Sequence, residues 1–139
     1  MTTRILLLTV LVLGLAAGCG GDDGDDEAAG GDSVTVELAE QNGSGESGTA
    51  TLTLEGEQTR VVLELSNPAS DSQPAHIHAG TCANLDPAPA FGLPNVESGS
   101  SEATVDATLD ELTGGEYAVN VHKSNDEADV YVACGEITG

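Results

Sequence analysis

Three histidines are the residues of this chain best suited to chemistry, and the chain has no others. His76 and His78 stand two apart in Ala75-His76-Ile77-His78-Ala79, and His122 lies in Val119-Asn120-Val121-His122-Lys123. Three neutral imidazoles brought to one point make a good site for copper or zinc, and copper binds most tightly among the divalent first-row ions. The candidate metal ligands are therefore His76, His78 and His122. Taken on spacing alone, an HxH pair also fits the solvated face of an ordinary strand. The sequence contains no glycine-rich phosphate loop, no GxSxG elbow and no HExxH helix. The many Asp and Glu residues sit in turns, where they serve solvation rather than paired acid–base work.

These side chains can meet only if strands position them. Along most of the chain apolar residues recur with period two, which is the period of a half-buried strand. Val34, Val36 and Leu38 alternate with Thr35 and Glu37, and Ala50, Leu52 and Leu54 alternate with Thr51 and Thr53. Val61, Leu63 and Leu65 repeat the pattern, as do Ala103, Val105, Ala107 and Leu109, and finally Tyr117, Val119 and Val121. Turn-forming residues separate the runs, and no helical stretch is expected. The expectation is an all-β, antiparallel Greek-key sandwich or flattened barrel of seven or eight strands. Ile77, Val119 and Val121 then point inward, while the three imidazoles and Asn120 point outward. Leu112-Thr113-Gly114-Gly115-Glu116-Tyr117 is similar to the tyrosine corner of such sandwiches, with the phenol bonded to upstream backbone.

The residues in order resemble copper/zinc superoxide dismutases. The AHIHA run is similar to that family's first copper-ligand strand, followed by a loop cysteine, here Cys82. Val119–His122 resembles the strand bearing the last copper histidine, and Val132-Ala133-Cys134-Gly135-Glu136-Ile137 resembles the C-terminal strand with the partner cysteine. The chordin-type CHRD domains share a similar AHIH opening and NVH strand. Either resemblance implies a Greek-key β-sandwich. The dismutase resemblance implies one copper held by His76, His78 and His122, but the bridging fourth histidine and the zinc ligands have no counterpart. Of the zinc-site ligands only Asp86 has a candidate in the loop over residues 80–94, so zinc is not expected. Tyr131 stands where the dismutases carry their substrate-steering arginine, which speaks against efficient superoxide turnover. Asp126, Glu127 and Asp129 follow His122 in a loop at the rim and are read first as a solvated turn, the other reading being that they orient an imidazole. The other reading of the same residues is a metal-free, CHRD-like structural or interaction module.

The remaining features concern location. Residues 5–15 are apolar apart from Thr9 and Gly14, too short to span a bilayer but of the length of a signal-peptide core. Leu15-Ala16-Ala17-Gly18-Cys19 resembles the lipobox of bacterial lipoproteins, which implies export, lipid on Cys19 and removal of residues 1–18. Residues 19–32 follow as an acidic, glycine-rich tether that cannot bury enough apolar surface to order itself. Residues 33–139 are left as one domain of ordinary size. With 3 Lys+Arg against 24 Asp+Glu the formal charge is −21, and losing Arg4 would lower it by one more. That charge excludes nucleic acid as a partner and gives no electrostatic grip on an anionic lipid surface; a protein partner is not defined by it. With Cys19 lipidated, Cys82 and Cys134 form an even pair outside the cytosol, which reads as a disulfide, the alternative being two thiolate metal ligands.

Overall fold

A computed structural model describes residues 32–139. The expected signal segment, Cys19 and nearly all of the tether lie outside the described residues. The domain is an antiparallel sandwich made from a curled ten-stranded sheet. In chain order the strands are β1 (Ser33–Glu40), β2 (Ser47–Glu55), β3 (Gln58–Ser66), β4 (Ser72–Gln73), β5 (Ala75–Thr81), β6 (Asn84–Gly92), β7 (Val96–Glu97) and β8 (Ser100–Val105). A short helix α1 (Leu109–Gly114) precedes β9 (Tyr117–His122) and β10 (Tyr131–Glu136).

Spatially the order is β4-β7-β8-β3-β2-β1-β10-β9-β5-β6. Strand β1 joins the two halves. Its residues Ser33 to Leu38 pair with β2, and Ala39 and Glu40 pair with β10. At this corner a Cβ on Gly135 would lie 2.3 Å from the Glu37 carbonyl oxygen, so only glycine lets β1 cross so close to β10. The interior between the halves holds Val36, Leu38, Ala50, Leu52, Val61, Leu63 and Val105 from one side. Ala75, Ile77, Val119, Val121 and Ala133 face them from the other. These are the alternating residues that the period of two assigns to one face. The expected all-β sandwich is the fold observed.

Three details differ from the expectation. The count of ten exceeds seven or eight because β4 and β7 are two-residue strands that pair with each other. Residues 84–92, expected as loop, form strand β6 despite Pro87 and Pro89. This strand is the outermost in its half and pairs only with β5. An edge strand has one side without partners, so prolines lacking an N–H are tolerated there. Finally, the alternation through Ala107 and Leu109 is not strand. The chain leaves β8 at Val105, and Thr108 caps α1 in a reciprocal capping box with Glu111. The Thr-x-x-Glu spacing is a helix-start signal, here serving six residues.

Tyr117 opens β9 as expected, with its ring centroid 6.0 Å from that of Phe91. Among the described residues its hydroxyl makes no bond to upstream backbone, so the tyrosine corner is not formed.

Candidate metal centre

The sheet register decides which side chains share a face. On β5 and β9, His76 lies opposite Asn120 and His78 opposite Ala118. Ile77 lies opposite Val119 in the core. The outer face of this half therefore carries His76, His78, Asn120 and His122 together, and Cys134 of β10 lies opposite Asn120. One ligand nitrogen from each of the three histidines lies within 4.8 Å of the others. Ring centroids are 4.9 Å apart for His76 and His122, 5.5 Å for His76 and His78, and 6.1 Å for His78 and His122.

Outward in register does not mean exposed. His78 is 1% accessible, His122 5% and Asn120 0%, whereas His76 is half-buried. The turn between β5 and β6 is tied over this face by the disulfide between Cys82 and Cys134, whose Cα atoms are 5.8 Å apart. Its backbone is held further, because Gln41 Nε2 donates to the Cys82 carbonyl at 3.3 Å and Cys82 N–H donates to Glu136 Oε1 at 3.2 Å. Gly80 permits the tight return. Its φ is +105° and a Cβ there would lie 2.3 Å from the Asn84 carbonyl oxygen.

Backbone carbonyls set the tautomers. His78 Nδ1 donates to the Asp86 carbonyl at 2.8 Å, and His122 Nδ1 donates to the Ala128 carbonyl. A carbonyl only accepts, so each Nδ1 carries the proton and each Nε2 of the neutral ring offers a lone pair. His122 Nε2 then accepts from His76 Nδ1 at 3.0 Å. His78 Nε2 is buried with no hydrogen-bond partner. His76 alone has neither nitrogen fixed by a carbonyl, so it is the ring free to change tautomer. Burial, more than the neighbouring His122 and His78, holds His76 below the usual imidazole range. Burial also lowers His122, against an opposing pull from the Ala128 carbonyl. Both shifts favour neutral rings, the form that binds metal.

The groups that orient the rings are backbone carbonyls, and the acids after His122 form the solvated turn expected of them. The Asp86 carboxylate accepts from Ala88 N–H at 2.9 Å, and it is the Asp86 carbonyl that orients His78. Likewise Glu127 pairs with Lys123 at 2.8 Å, Asp126 and Asp129 are exposed, and the Ala128 carbonyl between them orients His122. The loop orients the imidazole, but through backbone. Tyr131 places its ring edge-on to His122, with centroids 5.1 Å apart.

Two buried residues support His122 from behind and carry no motif in sequence. Gln73 Nε2 donates to the His122 carbonyl at 3.1 Å and to both carboxylate oxygens of Glu46 at 3.1 and 3.0 Å. Glu46, with no accessible surface, also accepts from Ala69 N–H at 2.7 Å. The acid belongs to the β1–β2 connection and the amide to β4, so only tertiary contact reveals their shared task. Asn120 was legible as a polar residue within an apolar strand, but alternation alone assigns it to solvent.

The donor set fits a metal ion of imidazole preference. Two nitrogens on one ion at about 2.0–2.1 Å cannot stand more than about 4.2 Å apart, so nitrogens as far apart as 4.8 Å would have to close by at least roughly half an ångström. An unpaired, buried His78 Nε2 costs free energy that a bound cation would recover. The CHRD-domain family model matches residues 28–128, which is more than two thirds of the chain. The chain belongs to the CHRD-domain family. The match contains all three histidines and Cys82, while β10 with Cys134 lies beyond it. It is a CHRD model that matches, not a dismutase one. No curated protein matches the chain.

Proposed function

We propose that this CHRD domain is an exported, lipid-anchored module at the cell surface that holds one copper ion through His76, His78 and His122. The observation that carries the metal reading is the convergence of three imidazoles, two of them fixed by carbonyls so that Nε2 carries the lone pair, free on His78 and engaged only by His76 on His122. Copper is favoured over other ions because the set is purely imidazole and copper stands highest in the divalent series. Bound copper would supply one-electron redox chemistry. The chain's own residues hold the rings neutral, orient His78 and His122 through Asp86 and Ala128, and exclude water from two of the three.

The dismutase resemblance supports the ligand set and not a fast reaction. Residues matching a zinc site are missing, Tyr131 replaces the steering arginine, and a charge of −21 repels an anionic substrate. Copper holding, with limited redox defence, is the role we assign. Lipid attachment at Cys19 rests on the Leu15-Ala16-Ala17-Gly18-Cys19 run and the apolar segment before it.

Copper titration followed by electron paramagnetic resonance tests the proposal. The expected result is a tight one-to-one site with nitrogen hyperfine structure, lost in His76→Ala and His122→Ala. His76→Ala is the cleaner variant, because His76 is only half-buried and its removal opens no sealed cavity. Absence of binding below about millimolar copper overturns the metal reading and leaves a metal-free interaction module.

A further inference from the structure

The least explained residue of the domain is Asn120. Its side chain is completely buried, and neither Oδ1 nor Nδ2 has a hydrogen-bond partner. A buried amide with nothing to bond to destabilises the fold by the desolvation of each unmet group, and a valine or leucine would serve a purely structural position better. Its place in the sheet is specific. His76 stands directly across on β5, His122 is two residues further along β9, and His78 is the diagonal neighbour because it faces Ala118. Neighbours across a sheet are about 5 Å apart and diagonal ones about 7–8 Å, so the three histidines flank Asn120 on its β5 side and along β9, while Cys134 flanks it on β10. His78 Nε2, the other orphaned atom of that face, belongs to the same group.

We propose that Asn120 supplies the fourth ligand of the metal, its amide oxygen Oδ1 approaching from the sheet side of the three imidazoles. This rests on the three-histidine reading above and deepens it. Three protein nitrogens leave a four-coordinate ion one open position, and the buried amide stands on the side that solvent does not reach. One cation satisfies both His78 Nε2 and Asn120 Oδ1, two atoms otherwise left without partners. The set of three imidazoles and one amide is neutral throughout, so the ion keeps its full charge inside the domain. His76, the ring without a carbonyl to hold it, supplies the adjustment that closure around the ion requires.

The test compares the full chain with Asn120→Leu and Asn120→Asp, using copper(II) alone as the probe. Asn120→Leu should leave the melting temperature of the metal-free protein unchanged or raised, because an unpaired amide is removed. It should weaken copper binding about tenfold or more and change the copper hyperfine splitting, while Asn120→Asp, which keeps an oxygen donor, should bind at least as tightly as the parent. A second measurement needs no variant: asparagine labelled with carbon-13 at the side-chain carbonyl should show hyperfine coupling to bound copper. Equal affinity and identical spectra for the parent and Asn120→Leu, or no carbon-13 coupling, overturn the fourth-ligand assignment and leave the three-histidine site standing. No copper binding by the parent chain overturns both.

Discussion

The two halves of the sandwich begin from the same alternating pattern and end differently. In the half built from β2, β3 and β8, inward residues such as Leu52, Val61 and Leu63 are sealed in the core. The outward residues Thr51, Arg60 and Glu102 meet solvent, and Arg60 pairs with Glu102 at 2.8 Å on the open surface. In the half built from β5, β9 and β10, both faces are closed: β9 is buried from Ala118 through His122. Its inner face is apolar and satisfied, and its outer face is polar, buried and partly unpaired. The difference teaches that a sandwich makes a site when it covers its outer face as well as its core. Water excluded from His78 and Asn120 is what leaves their donor atoms free for another partner.

If that contrast is correct, the largest stability change should come from opening the cover. Reducing the disulfide between Cys82 and Cys134, 52 residues apart, should destabilise the domain by about 4 kcal/mol on the chain-entropy account. The outer face of β5 and β9 should lose amide hydrogen-exchange protection first, while β2 and β3 keep theirs. Uniform loss across both halves would show that the cover has no local role.

A smaller effect should appear with pH. Burial lowers His76 and His122 in the folded protein, so the unfolded chain takes up protons first as pH falls through about 6.5. The stability of the metal-free protein should therefore be full well above that value and decline as pH falls through it toward the lower folded-state values. The decline should flatten in His76→Ala. A melting temperature that holds steady or rises over this window would break the link between the closed face and neutral imidazoles.

The smallest effect belongs to the open half. Arg60→Ala removes an ion pair that water already solvates, and it should not measurably move the melting temperature. A clear loss there would mean that the open surface of β3 and β8 is also part of the stabilised structure.

Much of this was readable in order along the chain. The alternation of Val61, Leu63 and Leu65, of Ala50 and Leu52, and of Val119 and Val121 follows from the pleat, which sends successive side chains to opposite faces. It determines most of the long strands, their inward residues and the outward side of His76, His78 and His122. The pairing of Cys82 with Cys134 was legible too, because setting Cys19 aside leaves two cysteines, and the disulfide joins them. None of these inferences requires knowing what lies above a strand.

What lies above was decided by contacts distant in sequence. β6 became a strand because β5 offered it an edge, in spite of Pro87 and Pro89. The carbonyls of Asp86 and Ala128, rather than the nearby carboxylates, came to orient His78 and His122, since every residue carries a carbonyl and no pattern marks which will be used. Glu46 and Gln73 met behind His122 from separate connections. Asn120 passed from an expected surface residue to the most enclosed amide of the site. Local sequence chooses which way a side chain points, through the period of the backbone; only the closed tertiary structure determines whether it points into water.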